Sequence, residues 1–204
     1  MLGVFAAGWS SNNKYALLSA LRMVALLVSY EIPLLLSLLV PAVMVGSFRL
    51  VDIVEAQRGL PLLLTPVGAV SFLVFFIAML AESNKSPFDL LEAESELISA
   101  YNVEYSGIKF ALFYAGEYAH TFAISGLAAT VYLGGYVGPA FLPGAVWLLL
   151  KMVLLFLVVL WVRWSFMRLR IDQALQLNWK VLFPISLVNL LIAAYWVVGR
   201  GGGT

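Results

Sequence analysis

The acidic residues of this chain are concentrated in one short stretch, where closely spaced carboxylates could pass protons or other cations. Six of the eleven Asp and Glu residues lie between residues 82 and 107, namely Glu82, Asp89, Glu92, Glu94, Glu96 and Glu104. The stretch lies between two strongly apolar segments, and two more carboxylates, Glu31 and Glu117, stand inside apolar segments. Because a charge is costly to bury in hydrocarbon, such residues usually mark an ion or proton route.

A polar stripe runs along the apolar segment that follows the acidic stretch. Tyr114, Glu117, Thr121 and Ser125 recur at helical spacing, and His120 lies beside them. This pattern favours a proton route on one helix face. The alternative is a local pair of Glu117 and His120 that only ties helices together.

Glu31 lies near the middle of the first long apolar segment, two residues before Pro33. Proline has no N–H, so the carbonyl of Ser29 loses its usual helical donor. A backbone acceptor beside a buried carboxyl predicts a hydrated kink. The alternative is a structural glutamate that is bonded to a neighbouring helix.

Ser86-Pro87 predicts the start of a short amphipathic helix on the membrane surface, because Ser is a preferred N-cap and Pro a preferred first helical residue. Residues spaced three and four apart share a helix face. The acidic face would hold Asp89, Glu92 and Glu96, and the apolar face Phe88, Leu91 and Leu97. A merely solvated acidic face is the alternative for Asp89 and Glu96. It is a weaker explanation for Glu82, which ends an apolar helix where water gives way to lipid.

The composition is that of an integral membrane protein. Of 204 residues, 63% are hydrophobic and 11% charged, whereas soluble globular domains have roughly 25% charged residues. The net charge of +1 implies no polyanion partner. The sequence has no cysteine, which excludes disulfides and cysteine-ligated iron–sulfur clusters in this chain. Its single histidine argues against a multi-histidine metal or haem site.

Five segments are long enough to cross a hydrocarbon core, which needs roughly 20 residues. They cover about residues 23–46, 60–81, 108–134, 145–166 and 179–198. The predicted fold is an all-α, multi-pass transmembrane helix bundle of about five full membrane helices plus the short amphipathic helix. We expect one membrane domain over residues 1–204, with 82–107 as an acidic loop and 199–204 as a flexible tail. The short apolar run at residues 1–8 is interpreted as the tail of a helix truncated at the N-terminus.

The basic residues predict the orientation of the bundle. One side of the bundle would hold the stretch before the first full helix, the acidic loop and the 167–178 loop. In and next to these segments stand eight basic residues, Lys14, Arg22, Lys85, Lys109, Arg163, Arg168, Arg170 and Lys180, whereas the opposite side has three, Arg49, Arg58 and Arg200. Loops rich in Lys and Arg usually face the cytoplasm. The acidic loop is therefore predicted to be cytoplasmic.

Several long motifs point to one family. The most specific is AESNKSPFDLLEAESEL at 81–97, continued by YNVEYSG at 101–107 and KFALFYAGEY at 109–118. Other matching runs are GWSSNNKYALLSALR at 8–22, SYE at 29–31 and RWSFMRLR at 163–170. The chain thereby resembles, over essentially its whole length, the quinone-site membrane subunits of respiratory complex I. That family includes the H subunit of bacterial NADH:quinone oxidoreductase and subunit 1 of the mitochondrial enzyme.

The resemblance implies roles for nine residues, none of them catalytic or metal-binding. Six residues would form an acidic funnel between the quinone cavity and antiporter-like subunits, namely Glu31, Glu82, Glu92, Glu94, Glu104 and Glu117. Clustered carboxylates repel one another, so we expect them to share protons. Three aromatic residues would lie along the quinone tunnel, namely Phe110, Phe113 and Tyr114. Aromatic rings there would suit a flat quinone head and an isoprenoid tail.

The resemblance also implies a subunit of a proton-translocating enzyme in the inner (plasma) membrane of a prokaryote. Quinone would be the substrate, this chain alone would bind no cofactor, and partner subunits would hold FMN and iron–sulfur clusters. The implied partners are soluble iron–sulfur and quinone-site subunits, small and antiporter-like membrane subunits, and lipid, without nucleic acid. Two alternatives stay open. One is a homologous subunit of an energy-converting hydrogenase or other complex I relative; the other is a free-standing proton or cation transporter, which the lack of an internal repeat disfavours.

Overall fold

A computed structural model of the chain describes residues 2–89, 104–139 and 142–201, and these residues form helices and the turns that connect them. The helices are α1 Leu2–Ser10, α2 Lys14–Val45, α3 Leu50–Ala56, α4 Pro66–Glu82, α5 Ile108–Tyr132, α6 Gly144–Ser165, α7 Ile171–Leu177 and α8 Phe183–Gly201. A 3₁₀ turn, Leu62–Leu64, precedes α4, and a π-helical segment, Asn178–Leu182, joins α7 to α8. The predicted all-α fold is confirmed.

Among the described residues, three helical stretches are long and apolar enough to cross a membrane, namely Lys14–Val45, Gly144–Ser165 and Ile171–Gly199. Each of the other two predicted spans also contains a helix. Helix α4 is apolar and has 17 residues, or about 25 Å at 1.5 Å per residue. Helix α5 has 25 residues, but its polar stripe lowers its hydropathy. The chain is thus a membrane helix bundle, and the crossing by α4 and α5 stays a prediction.

Helix α2 is the centre of the bundle, where it packs against α1, α4 and α8, while α5 packs against α6. The ring of Tyr132 on α5 is fully buried and lies 5.5 Å from that of Phe75 on α4. Its hydroxyl donates to the carbonyl oxygen of Ser37 at 2.8 Å and lies 3.0 Å from Ser71 Oγ. One buried phenol therefore links α2, α4 and α5.

Pro33 lies inside α2, and the carbonyl that it leaves without a helical donor finds another one. Asn178 Nδ2, in the π-helical segment, donates to Ser29 O at 2.6 Å. Asn178 is buried, so a side chain of the protein supplies the donor at the kink. Hydration of the kink stays a prediction, whereas the carboxyl of Glu31 beside it is exposed where burial was predicted.

The turn that follows α4 differs from the prediction. Residues 86–89 form turns, so no helix begins at Ser86-Pro87. Ser86 Oγ donates to Phe166 O at 2.9 Å, and Leu169 N donates to Pro87 O at 2.8 Å. Phe88 is buried with its ring 5.2 Å from that of Tyr30. These tertiary contacts outweigh the local capping preference. The rest of the predicted amphipathic helix lies outside the described residues.

The opposite end of the bundle is closed by the turn after α5. Gly134 and Gly135 adopt positive φ angles of 71° and 46°, as is common where a helix ends. Lys151 Nζ, on α6, donates to three carbonyl oxygens of this turn, those of Leu133, Gly135 and Val137, at 2.7, 2.9 and 2.7 Å. The ammonium of Lys151 therefore connects the start of α6 to the backbone of this turn.

Asn189 on α8 connects two helices, as its sequence context indicates. Its Nδ2 donates to Val67 O, at the start of α4, at 3.1 Å. Helix α8 continues to Gly201, and residues 202–204 lie outside the described residues. The predicted flexible tail and the single-domain boundaries stay predictions.

Candidate functional site

A small acidic cavity lies where the end of α4 meets α1, α2 and the middle of α5. Its volume is about 170 Å³. Its polar lining comes from Glu82, Ser83 and Asn84 at the end of α4 and from Glu117 and His120 on α5, and its apolar lining from Val4, Met23 and Leu27. A cavity of this size with several polar walls can hold water. It is the candidate functional site and is called the acidic cavity below.

Glu82 reaches the acidic cavity because it is the last residue of α4. Its side chain is half-buried, and its Oε2 atom is buried without a hydrogen-bond partner among the described residues. A buried carboxyl oxygen of this kind calls for a proton, a water molecule or a cation. Glu31, on α2, is close enough to interact electrostatically with Glu82.

Glu117 enters the acidic cavity from α5, where the predicted polar stripe exists. Thr121 Oγ1 donates to Glu117 O at 2.8 Å, and Ser125 Oγ donates to Thr121 O at 2.8 Å. Both hydroxyl residues are buried, whereas the Glu117 side chain is 28% exposed. Its carboxylate Oε1 forms an ion pair with Lys85 Nζ.

The Lys85 pair replaces the local Glu117–His120 pair that was the alternative interpretation. His120 lines the same cavity and interacts electrostatically with Glu117. Its side chain is exposed. The arrangement therefore contains two carboxyls, one imidazole and one ammonium within reach of a common space.

The other predicted carboxylates lie elsewhere. Glu104 is exposed, and its Oε1 accepts a hydrogen bond from Asn13 Nδ2 at 3.0 Å. Asn13 caps α2, since its side chain also accepts from Tyr15 N. Glu104 thus lies at the turn between α1 and α2, outside the lining of the acidic cavity. Glu92 and Glu94 lie outside the described residues.

The three predicted quinone-tunnel aromatics divide into two groups on α5. The Phe110 and Tyr114 rings lie 4.8 Å apart, and Phe110 is 38% exposed. The Phe113 ring instead packs 5.0 Å from that of Tyr105, against the apolar cluster formed by α1 and α2. Tyr105 also donates to Ala7 O at 3.0 Å, which fastens residue 105 to α1. Of these three aromatics, the Phe110–Tyr114 pair offers a surface at the edge of the bundle.

Sequence reasoning missed Lys85 as a site residue. In the sequence, Lys85 was assigned only to the basic residues of a cytoplasmic loop, although it lies in the acidic stretch, three positions after Glu82. A lone cation amid carboxylates was a usable signal. Among residues 2–89, 104–139 and 142–201, no three His, Asp or Glu side chains form a group that could hold a metal ion.

These features define a class, a multi-pass helical membrane protein with an acidic cavity inside its bundle. The family model described as NADH dehydrogenase matches residues 1–194. The chain belongs to this NADH dehydrogenase family.

Curated relatives agree with this assignment. The chain is 50% identical over 198 residues to the H subunit of NADH-quinone oxidoreductase from Dehalococcoides mccartyi (strain CBDB1), a match that covers 97% of the chain and 55% of the relative. It is 48% identical over 196 residues to the corresponding H subunit from Geobacillus sp. (strain WCH70), covering 95% and 58%. It is 46% identical over 199 residues to the H subunit numbered 2 from Syntrophobacter fumaroxidans, covering 98% and 59%. The chain spans a little over half the length of these relatives.

Proposed function

We propose that the chain is part of the membrane subunit of a proton-pumping NADH:quinone oxidoreductase, complex I, in which it lines the quinone tunnel and couples quinone reduction to proton movement. The names of the relatives support the reaction. The observation that carries the coupling role is the acidic cavity, in which Glu82 and Glu117 meet from two helices.

The overall reaction transfers two electrons from NADH to a quinone, which takes up two protons and becomes a quinol. FMN and iron–sulfur clusters in partner subunits would supply the electron path, and this chain would bind no cofactor by itself. Charge that develops near the quinone must be balanced by protons or by moving ions. Glu31, Glu82 and Glu117 would carry these protons into the membrane part of the protein. Glu92, Glu94 and Glu104 would lie in the loop that leads to them.

The proposed quinone contact is the aromatic surface at the start of α5. Phe110 and Tyr114 form a pair of rings with one partly exposed face, and flat aromatic rings prefer such offset contacts. Phe113 would hold the start of α5 in place by packing on Tyr105. The three residues predicted for the tunnel would therefore act in two ways, by contact and by support.

The proposed location is the inner (plasma) membrane of a prokaryote, with the acidic loop in the cytoplasm. Residues 86–87 contact residues 166–169 through two hydrogen bonds, so the acidic loop and the basic 167–178 loop share one end of the bundle. Arg168 and Arg170 belong to that end. Their positive charge supports the cytoplasmic assignment. The partners there would be the soluble iron–sulfur and quinone-site subunits, with small and antiporter-like subunits and lipid around the helices.

The test is purification of the full-length gene product, tagged in its native membrane, in a mild detergent. We expect NADH-oxidising and iron–sulfur subunits to co-purify, together with NADH:quinone reductase activity. Hydrogenase subunits in their place would assign the chain to another complex I relative. A protein that purifies alone and moves protons or cations in liposomes would contradict the proposal and favour a free-standing transporter.

A further inference from the structure

Lys85 is a buried cation that the proposed function leaves without a role. Its residue is only 2% exposed, although it follows a helix end in a polar sequence. Its backbone is fixed on both sides, since Lys85 N donates to Leu80 O at 3.0 Å and Phe88 N donates to Lys85 O at 2.9 Å. The side chain therefore starts from a rigid turn beside the acidic cavity.

The charged and polar groups near the Lys85 ammonium come from several helices. It pairs with Glu117 and lies 4.2 Å from the centroid of the Tyr118 ring, both on α5. Arg163 Nη1, on α6, donates to the hydroxyl of Tyr118 at 2.9 Å. Among the described residues, the other titratable groups that line the acidic cavity are Glu82 on α4 and His120 on α5, and Glu31 on α2 interacts with Glu82 at longer range.

The charge balance of this site depends on Lys85. A buried ion pair is tolerated because each charge compensates the other, and removal of one partner leaves an expensive lone charge. If a proton reaches Glu117, its carboxylate becomes neutral and the ammonium loses its partner. The other carboxyl that lines the cavity is Glu82, three residues from Lys85 in the chain, whose buried Oε2 has no hydrogen-bond partner among the described residues.

We infer that Lys85 is a positioning residue that acts as a shared counter-ion for Glu117 and Glu82, so that the two carboxyls hold one proton between them. In one state Glu117 is ionised and paired with Lys85 while Glu82 carries the proton. In the other, the O–H bond of Glu82 is broken, an O–H bond is formed on Glu117, and the ammonium pairs with Glu82. The number of protons and the net charge stay the same. This inference rests on the proposed function, since it adds a counter-ion to the proton route through the acidic cavity.

The first test compares Lys85→Met, Lys85→Arg and Lys180→Met in the intact enzyme complex. Lys180 is the matched control, because it is an exposed lysine whose ammonium donates to Gln176 Oε1, four positions earlier in the chain. We expect Lys85→Met to lower proton-coupled quinone reduction at neutral pH roughly tenfold, because the ionised carboxylate then loses the cation that compensates it. Lys85→Arg should restore at least half of the activity, since the guanidinium keeps the positive charge. Lys180→Met should match the unmodified enzyme.

The second test uses neutral replacements to show that the counter-ion is shared. Glu82→Gln and Glu117→Gln should each assemble, since Lys85 retains one carboxylate. Glu82→Gln/Glu117→Gln should fail to assemble, because the ammonium would then be buried without a carboxylate. Addition of Lys85→Met should recover assembly, as seen on native gels. Assembly that is equally good with and without Lys85→Met in this background would overturn the shared role.

The outcomes separate this inference from the proposed function. A defective Glu117→Gln enzyme together with a Lys85→Met enzyme that behaves like Lys180→Met would overturn the role of Lys85 and keep the proton route. Normal pumping in assembled Glu117→Gln would instead refute the part of Glu117 in the proposed function. If Lys85→Met does not assemble but Lys85→Met/Glu117→Gln does, charge compensation is supported. Loss of assembly in both would overturn the inference and make Lys85 a packing residue.

Discussion

Asn178→Leu should destabilise the bundle by removing the donor that satisfies the Pro33 kink. Asn178 Nδ2 lies 2.6 Å from Ser29 O, and both residues are buried. Leucine has a similar volume but no donor, so the carbonyl of Ser29 would lose its partner inside the protein. The measurement is the temperature at which the purified complex loses half of its NADH:quinone activity.

The expected loss of stability in Asn178→Leu follows from two opposing contributions to the free energy of unfolding. A buried carbonyl without a donor costs about 1–3 kcal/mol. Asn178 Oδ1 is itself buried without a hydrogen-bond partner among the described residues, so its removal offsets part of that cost. The net loss should be about 1–2 kcal/mol. For a chain of about 200 residues, each kcal/mol corresponds to roughly 2–4 °C in the midpoint.

Pro33→Ala provides a specific rescue, because it restores the backbone N–H that a continuous helix would donate to Ser29 O. In the double variant, we expect at least half of the Asn178→Leu loss to be recovered relative to Pro33→Ala alone. Asn189→Leu is the matched control, since it removes a similar interhelical amide bond, to Val67 O, that Pro33→Ala cannot replace. Equal rescue of both leucine variants, or of neither, would refute the assignment of Asn178 to the kink.

Three further predictions concern the acidic cavity, the aromatic surface of α5 and the turn after α5. Glu117→Gln should assemble but lose most quinone reduction and proton pumping together, measured in membrane vesicles; near-normal pumping would return Glu117 to a structural role. Phe110→Ala should raise the KM for quinone severalfold and leave NADH oxidation by a soluble acceptor unchanged, whereas equal loss of both would indicate damaged assembly. Lys151→Met removes a charged donor from three carbonyls and should lower the thermal midpoint by several degrees without changing the KM for quinone. A change in KM with an unchanged midpoint would contradict that structural role.

The polar stripe of α5 and the α5–α6 turn could be predicted because their causes are local. Thr121 and Ser125 follow Glu117 at intervals of four, which places them on one face of a helix. Gly134 and Gly135 mark a helix end because glycine adopts positive φ without strain. Periodicity and turn chemistry are properties of short segments, so sequence alone carried these features.

The kink and the acidic turn could not be predicted in the same way. Pro33 showed that Ser29 needed a donor, but the sequence did not show that Asn178 would supply it from 149 positions away. Ser86-Pro87 has a good helix start, yet hydrogen bonds with Phe166 and Leu169 hold these residues in turns. Local propensities are weak and tertiary contacts override them.

The sequence by itself determined the class of the protein, its apolar segments and the family, because hydrophobicity and a long specific motif do not depend on how the helices meet. Only the tertiary structure decided which charges share a space. It buried Lys85 and paired it with Glu117, 32 positions away, and it left Glu31 exposed. The physical reason is that the burial and pairing of a charge depend on the side chains that neighbouring helices bring to it, and helix packing alone fixes those.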